Sequence, residues 1–74
     1  MEYQYIVLDI ENGIATLTLN RPEQMNAINN KMMSEELPDA FNRIERDDEI
    51  KVLILTGAGD RAFCTGADAK ERLL

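Results

Sequence analysis

Residues 52–68 read Val-Leu-Ile-Leu-Thr-Gly-Ala-Gly-Asp-Arg-Ala-Phe-Cys-Thr-Gly-Ala-Asp. The first four side chains form a short apolar run that is typical of a buried β-strand. The run ends in a loop that contains Gly57, Gly59 and Gly66. Glycine lets backbone N–H groups face a ligand at close range, so a strand that opens into such a loop is a candidate site for a negatively charged oxygen.

Two strands joined by a hairpin are predicted near the start of the chain. Residues 3–10 alternate loosely, with Ile6 on the face opposite to Val7. Residues 14–19 alternate more strictly: Ala15, Leu17 and Leu19 share one face, and Ile14, Thr16 and Thr18 share the other. The intervening Glu-Asn-Gly at residues 11–13 is typical of a tight turn, because Asn-Gly tolerates positive φ angles. We therefore expect antiparallel pairing.

The apolar period changes to that of a helix after residue 29. The helix is predicted to begin at Asn30, with Asn29 or Asn30 as its cap. Its expected apolar stripe consists of Met33, Leu37, Ala40, Phe41 and Ile44. Pro38 cannot donate a hydrogen bond to Ser34, so the pattern predicts either a kinked helix or two short helices that meet near Leu37.

The order of elements predicts an α/β fold: strand, strand, helix, a third strand at residues 50–55, the glycine loop, and a new helix from about Asp68. A helix between two strands is a crossover connection, so residues 14–19 and 50–55 are expected to be parallel. Binding sites in such sheets lie beyond the carboxyl ends of the strands. The loops at 20–29 and 57–67 both follow such ends and are expected to form two walls of one site.

Composition excludes several classes of function. Fourteen acidic and eight basic side chains give a net charge of −6, which argues against nucleic-acid and anionic-membrane partners. One cysteine, Cys64, and no histidine argue against a disulfide framework or a zinc site, and no metal is expected. Without an apolar run of membrane-spanning length or a basic signal-peptide start, a cytoplasmic location is expected, with an organelle lumen as the alternative if a targeting segment has been removed.

The length of the chain bears on whether it folds alone. A lone core of 74 residues supplies about 3–5 kcal/mol of stability. Apolar residues make up 45% of the sequence, which fits a packed protein rather than a disordered one. We therefore favour a piece of a larger fold over a module that associates with copies of itself.

The glycine loop fits two kinds of anion site. Gly57, Gly59 and Ala62 match the spacing of the dinucleotide-binding fingerprint, which also needs a helix that opens at the second glycine. Because Gly66 would interrupt that helix, we interpret the match as accidental. The alternative is an oxyanion site, in which Gly66 lets the chain turn and the N–H of Ala67 points outward at a helix N-terminus.

An ordinary turn followed by a surface helix explains the same residues equally well, with Asp68 as its cap. Cys64 is interpreted as a small packed thiol, because no histidine is present to activate it. Tyr3 and Tyr5 are expected at the sheet edge. The acidic side chains after residue 34 are expected to form a solvated face: Glu35, Glu36, Asp39, Glu45, Asp47, Asp48 and Glu49.

Three blocks of sequence together resemble one known family. Residues 20–29 read Asn-Arg-Pro-Glu-Gln-Met-Asn-Ala-Ile-Asn, residues 53–59 read Leu-Ile-Leu-Thr-Gly-Ala-Gly, and residues 62–68 read Ala-Phe-Cys-Thr-Gly-Ala-Asp. In this order and at this approximate spacing they resemble the amino-terminal portion of the enoyl-CoA hydratase/isomerase (crotonase) superfamily. The resemblance implies a spiral of repeated strand–strand–helix turns several times longer than this chain. Residues 1–74 would be the amino-terminal part of one such domain.

The resemblance also implies a chemistry. Members of the superfamily bind acyl-CoA thioesters and stabilise an enolate-like oxyanion with two backbone N–H groups. The first donor corresponds to Ala67, in a loop geometry that Gly66 permits. Coenzyme A would enter as part of the substrate, with no permanently bound cofactor, and the complete enzyme would be a trimer or hexamer.

The expected substrate-binding residues fall in two segments. Gln24, Met25, Asn26 and Ala27 correspond to the family segment along the pantetheine and adenine end of CoA, and Ala67, Asp68, Ala69 and Lys70 to the segment that lines the CoA and acyl pocket. Lys70 and Arg21 are interpreted either as partners of CoA phosphates or as surface cations. Thr65 and Ala69 depart from the usual pattern, so the acyl pocket is expected to have an unusual shape. Pro38 is atypical within the first helix of the family.

The family's second oxyanion donor and the two glutamates of its hydratases correspond to positions after Leu74. The leading hypothesis is therefore the front part of an enoyl-CoA hydratase of fatty acid metabolism, inactive as an isolated chain. Isomerisation, dehalogenation and carbon–carbon bond hydrolysis share this front part and stay open as alternatives. A non-catalytic association module is the alternative from a different class.

Overall fold

The computed structural model describes residues 2–68 of the chain. It contains three strands and one α-helix, with two further helical turns: β1 (Ile6–Glu11), β2 (Ile14–Leu19), a 3-10 turn (Pro22–Gln24), a π-helical turn (Met32–Glu36), α1 (Leu37–Arg46) and β3 (Val52–Gly57). The helix predicted from about Asp68 falls on residues 69–74, outside the described part. None of the helices within residues 2–68 is long and apolar enough to cross a membrane.

The sheet has the order β1-β2-β3. β1 and β2 are antiparallel, and Asn12 and Gly13 form the tight turn between them with φ angles of 53° and 78°. β2 and β3 are parallel, with Ile14 opposite Val52 and Leu19 opposite Gly57. The predicted hairpin, parallel crossover and α/β class are confirmed. The carboxyl ends of β2 and β3 lie side by side, which brings the two following loops together.

The ends of two strands differ from the prediction. β1 begins at Ile6 because the N–H groups of Gln4 and Tyr5 donate to the Glu36 carboxylate rather than to a strand. β3 begins at Val52 rather than at residue 50, because the Ile50 N–H closes a turn onto the Asp47 carbonyl at 3.1 Å.

The core lies between one face of the sheet and the helix. Its buried apolar side chains are Ile6, Ala15, Leu17, Leu19, Met32 and Ala40. The predicted alternation of β2 is confirmed, and the buried face is the one that Ala15, Leu17 and Leu19 share. Tyr3, Tyr5 and Cys64 are partly buried and pack against this cluster.

The prediction that residues 52–55 form a buried strand is wrong. The side chains of Val52, Leu53, Ile54 and Leu55 are between 41% and 49% exposed. β3 is an edge strand, and residues 2–68 supply little that covers its two faces.

The predicted helical stripe is partly wrong. Ala40 is buried as expected, but Met33 is 51% and Phe41 is 41% exposed, and Met32 is buried in place of Met33. The cause is the π-helical turn before Pro38, in which the Leu37 N–H reaches the Met32 carbonyl. This wider turn rotates the inward face. The predicted interruption of the helix near Leu37 is thus confirmed: the π-helical turn ends at Glu36, and α1 begins at Leu37, one residue before Pro38.

Asn29 is the residue that caps this helix. Its Oδ1 accepts the Met32 N–H at 2.9 Å, and its carbonyl accepts the Met33 N–H at 3.0 Å. The side chain therefore satisfies one of the N–H groups that a helix start leaves without a partner.

Glu36 does not belong to a solvated face, contrary to the prediction. Its side chain is fully buried, and its two oxygens accept the N–H groups of Gln4 at 2.6 Å and Tyr5 at 3.0 Å. A buried carboxylate is tolerated when backbone donors satisfy both of its oxygens. Glu36 therefore joins the segment before β1 to the helix.

Tyr3 extends this attachment at the protein surface. Its hydroxyl donates to Asp39 at 2.7 Å and accepts from Arg43 at 3.2 Å. Partial burial, followed by the hydrogen bond to Asp39, raises the pKa of Tyr3 above its ordinary value of 10.0.

A pH dependence of stability follows from this raised pKa. The contribution of neutral Tyr3 is fully present below its unfolded pKa of about 10 and is lost as the pH rises through the higher folded value. We expect the thermal midpoint of the unmodified chain to fall more steeply above about pH 10 than that of Tyr3→Phe, because the phenylalanine variant has no hydroxyl to ionise. Absorbance titration at the tyrosinate band, taken as the difference between the two proteins, measures the Tyr3 pKa directly. A midpoint at or below 10.0 would contradict the contact geometry.

Candidate functional site

The loops that follow β2 and β3 meet in a short parallel bridge between Ile28 and Ala67. The Ile28 N–H donates to the Gly66 carbonyl at 2.8 Å, and the Asp68 N–H donates to the Ile28 carbonyl at 2.8 Å. The two loops therefore lie side by side, as expected.

The N–H of Ala67 points away from this bridge. In extended backbone the N–H groups of successive residues face opposite edges. Since Asp68 directs its N–H at Ile28, Ala67 directs its own to the other side. Ala67 is exposed, and its N–H makes no hydrogen bond within residues 2–68. This backbone donor is therefore available to a ligand.

Gly66 sets the chain direction immediately before that donor. Its φ of +100° lies in a region that side-chain-bearing residues rarely adopt, although a Cβ at this position would meet no atom within 4 Å. Glycine is therefore needed for backbone conformation and not for space. The Gly66 N–H donates to the Cys64 sulfur at 3.3 Å, so the thiol supports the turn.

Asn26 joins the two walls through its side chain. The residue is fully buried and left-handed, with φ of 58°. Its Oδ1 accepts the Arg21 N–H at 2.8 Å, and its Nδ2 donates to the carbonyls of Ala58 at 3.0 Å and Ala62 at 2.8 Å. Asn26 thus offers a ligand no free side-chain group, unlike its neighbours in the loop.

Those neighbours are more accessible. Gln24 is exposed at the end of the 3-10 turn, Met25 is 42% exposed with a left-handed φ of 50°, and Ala27 is partly buried. The Thr65 hydroxyl donates to the Met25 carbonyl at 3.4 Å, which is a further contact between the walls. The predicted site residues Ala69 and Lys70 lie outside the described residues.

Arg21 makes a contact across the walls that the sequence interpretation missed. Its Nη1 donates to the Ala27 carbonyl at 2.8 Å and to the Asp68 carboxylate at 3.2 Å, and its guanidinium lies 5.6 Å from the centre of the Tyr5 ring. The Arg21 and Asp68 side chains are only 14% and 15% exposed. From the sequence, Arg21 is interpreted as a phosphate partner or surface cation and Asp68 as a helix cap. No rule of sequence spacing predicts that the two side chains pair.

The glycine loop contains no helix within residues 58–66, so it lacks the element that the dinucleotide fingerprint requires. The expectation that no helix opens at the second glycine is confirmed for these residues. An open cavity of about 370 Å³ lies against the loop. Its lining residues are Thr56, Gly57, Gly59, Asp60, Arg61, Ala62 and Phe63.

Comparison with known proteins establishes the family. The family model for enoyl-CoA hydratase/isomerase matches residues 9–74. The chain belongs to the enoyl-CoA hydratase/isomerase family. The crotonase resemblance of the three sequence blocks is thereby confirmed.

Two curated members of this family show the extent of the similarity. The chain is 46% identical over 69 residues to 1,2-epoxyphenylacetyl-CoA isomerase of Escherichia coli strain K12, covering 93% of this chain and 26% of that protein. It is 41% identical over 66 residues to (E)-benzylidenesuccinyl-CoA hydratase of Thauera aromatica, covering 89% and 25% respectively. The chain thus spans about a quarter of the length of these relatives.

Solved structures of the family share the fold. An enoyl-CoA hydratase from Mycobacterium tuberculosis H37Rv matches with a TM-score of 0.85 at 38% identity, over 95% of this chain and 31% of that one. An enoyl-CoA hydratase/isomerase from Xanthobacter autotrophicus Py2 matches with a TM-score of 0.88 at 38% identity, over 97% and 26%. The strand–strand–helix–strand unit is therefore a crotonase-type unit.

Proposed function

We propose that this chain is the acyl-CoA-binding front part of a crotonase-type enzyme, most simply an enoyl-CoA hydratase, and that Ala67 donates its N–H to the thioester oxygen. The observation that carries the proposal is the Ala67 N–H itself. It is exposed, it has no acceptor within residues 2–68, and the Ile28 bridge fixes its direction.

The chemistry requires such a donor. When a thioester becomes enolate-like, negative charge develops on its carbonyl oxygen. A fixed N–H aimed at that oxygen stabilises the transition state more than the ground state, and one donor is typically worth about 10²–10³ in rate. Gly66 contributes by permitting the backbone turn after which the Ala67 N–H points away from the bridge.

Substrate binding is assigned to the two walls. Gln24, Met25, Asn26 and Ala27 would lie along the CoA moiety, with Asn26 supporting the loop from inside rather than contacting the ligand. Ala67, Asp68, Ala69 and Lys70 would line the CoA and acyl pocket. CoA is here a part of the substrate, and no separate cofactor is required.

The acid and base groups are proposed to come from outside this chain. Within residues 2–68 the carboxylate nearest to Ala67 in sequence is Asp68, and it is paired with Arg21. A single oxyanion donor without a positioned acid or base does not hydrate an alkene. The 74-residue chain is therefore expected to be inactive alone. The complete enzyme is proposed to be a cytoplasmic trimer or hexamer of fatty acid metabolism.

Isomerisation is the second candidate reaction, because the Escherichia coli relative at 46% identity is named as an isomerase. Hydration and isomerisation make the same demand on this part of the protein. Both need the thioester oxygen stabilised, and they differ in the groups that move protons.

A chimera tests the proposed function. This chain replaces the matching 69-residue segment of Escherichia coli 1,2-epoxyphenylacetyl-CoA isomerase. We expect the chimera to bind CoA thioesters in calorimetric titration and to turn over 1,2-epoxyphenylacetyl-CoA, while a version with the segment deleted does neither. Circular dichroism establishes that the chimera is folded.

A folded chimera that neither binds nor reacts would refute the proposed function. Concentration-dependent assembly of the 74-residue chain, seen together with that result, would favour the association module, for which the exposed side chains of β3 supply an apolar surface.

A further inference from the structure

The direction of the Ala67 N–H depends on how the two walls are held together. The Ile28–Ala67 bridge consists of two backbone hydrogen bonds. Asn26 makes the buried contacts at the other end of the glycine loop, to Ala58 and Ala62. Near Ala67 itself, Arg21 contacts Asp68, the residue that follows the donor, at 3.2 Å, and the Thr65 hydroxyl makes a longer contact of 3.4 Å with the Met25 carbonyl.

We propose that Arg21 is a positioning residue that fixes the Ala67 donor by holding Asp68 and Ala27 at the same time. The inference rests on the proposed oxyanion role of Ala67 and adds to it a second residue and a mechanism. Arg21 does not contact the substrate in this proposal. It acts through the backbone of the two segments that form the bridge.

The geometry suits arginine in particular. One guanidinium nitrogen, Nη1, reaches both the Ala27 carbonyl at 2.8 Å and the Asp68 carboxylate at 3.2 Å, one acceptor on each wall. The centre of the Tyr5 ring lies 5.6 Å from the guanidinium carbon, within the range of a cation–π contact. A planar guanidinium with several fixed donors can hold two acceptors in one orientation, whereas a lysine ammonium on a flexible stem cannot.

Partial burial makes this pair stronger than an ordinary surface ion pair. With side chains 14% and 15% exposed, the two charges are poorly screened by solvent. Ala27 and Asp68 flank the two bridging residues, each one position away along the chain. Restraining these neighbours therefore limits rotation of the peptide that carries the Ala67 N–H.

The catalytic consequence follows from distance. A donor must lie within about 2.7–3.1 Å of the developing oxyanion, and a misplacement of about 1 Å costs on the order of 10² in rate. Loss of Arg21 would leave the N–H present but poorly aimed. The effect should therefore fall on the transition state rather than on substrate binding.

The test compares Arg21→Gln, Arg21→Lys and the control Arg46→Gln in the chimera. Arg46 is an exposed cation at the end of α1, away from the walls. We expect Arg21→Gln to lower kcat by about 10- to 100-fold with KM changed by less than about threefold, Arg21→Lys to recover part of the loss, and Arg46→Gln to change neither.

An infrared measurement separates positioning from general destabilisation. Hydrogen bonds to a thioester oxygen lower its carbonyl stretching frequency. With an isotope-labelled acyl-CoA bound, we expect the frequency to return part of the way to its free value in Arg21→Gln and to stay lowered in Arg46→Gln. A purely structural role would lower the thermal midpoint but leave the frequency of folded, ligand-bound protein unchanged.

Failure of this inference differs from failure of the proposed function. If Ala67→Pro lowers kcat by about 10²–10³ while Arg21→Gln keeps both kcat and the lowered frequency, the positioning role is overturned and the oxyanion role stands. If Ala67→Pro also has no effect, the oxyanion role is wrong, and the positioning role is overturned with it.

Hydrogen exchange supplies a test that does not depend on activity. In the 74-residue chain, the Ile28 and Asp68 amides form the bridge and should be protected. We expect Arg21→Gln, and not Arg46→Gln, to accelerate exchange at both amides. Equal rates in the two variants, or no protection in the unmodified chain, would overturn the proposal.

Discussion

Replacing Ala67 by proline is expected to lower kcat of the chimera by about 10²–10³. Proline has no N–H, so the substitution removes the proposed donor. It leaves the bridge chemically intact, because the two bridge bonds use the N–H groups of Ile28 and Asp68. The preceding Gly66 tolerates the restriction that proline imposes on its neighbour. Steady-state kinetics should show the loss in kcat, with a smaller change in KM.

The matched control is Ala67→Ser, which keeps the N–H at an exposed position and should retain most of the turnover. A second variant removes the donor without the ring of proline: semisynthesis with lactic acid at position 67 replaces the amide by an ester. The ester deletes the N–H and also makes the Gly66 carbonyl a weaker acceptor for the Ile28 N–H. Turnover by the ester variant within about twofold of the unmodified chimera would rule out Ala67 as an oxyanion donor, whatever the proline variant does.

The arrangement of the sheet could be predicted from local sequence. Asn12 and Gly13 specify the tight turn, and the apolar alternation of β2 specifies which face is buried. A helix between β2 and β3 makes them parallel, and the parallel register places the two loops side by side. These features depend on short-range sequence patterns and on the handedness of the crossover connection.

The errors arose where backbone geometry or a distant partner overrides a pattern. Counting at a regular helical period assigned the inward position to Met33, but the π-helical turn moves it to Met32. Glu36 looked solvated because its partners are the backbone N–H groups of Gln4 and Tyr5, which no side-chain pattern reveals. Exposure of β3 depends on what covers the strand, and its own residues carry no such information.

The site divides in the same way. The turn at Gly66 could be predicted from the glycine loop, because a positive φ is a local property. The outward N–H of Ala67 was expected from the family resemblance, and its direction depends on the bridge to Ile28. The pairing of Arg21 with Asp68 spans 47 positions, and the contact of Asn26 with Ala62 spans 36. Contacts of this length depend on how the two loops fold against each other, which single-sequence reasoning does not supply.

Gly57 is constrained by a contact with a distant segment, whereas Gly66 is constrained by its own backbone conformation. Substitution of Gly57 is therefore expected to have the second large effect, on the stability of the fold. A Cβ at Gly57 would lie 2.3 Å from the Phe63 carbonyl oxygen, 2.8 Å from the Phe63 Cα and 2.7 Å from Asn26 Nδ2. The residue is glycine because the loop backbone passes over it. At Gly66 the opposite holds: the added atom meets open space, and the cost is only the positive φ.

Gly57→Ala is therefore expected to destabilise the chain by about 3–5 kcal/mol, because the Phe63 backbone must move and the buried Asn26 amide loses its two carbonyl partners. Gly66→Ala should cost about 1–2 kcal/mol, the price of a left-handed alanine. Since a core of this size supplies about 3–5 kcal/mol in total, Gly57→Ala should abolish the cooperative urea transition of the 74-residue chain, and Gly66→Ala should only lower its midpoint. Circular dichroism follows both, and the thermal midpoint of the chimera provides the same comparison in a larger protein. The comparison of the two losses of stability decides the matter. If Gly66→Ala destabilises the chain more than Gly57→Ala does, the close approach of Phe63 is not the reason that position 57 is glycine.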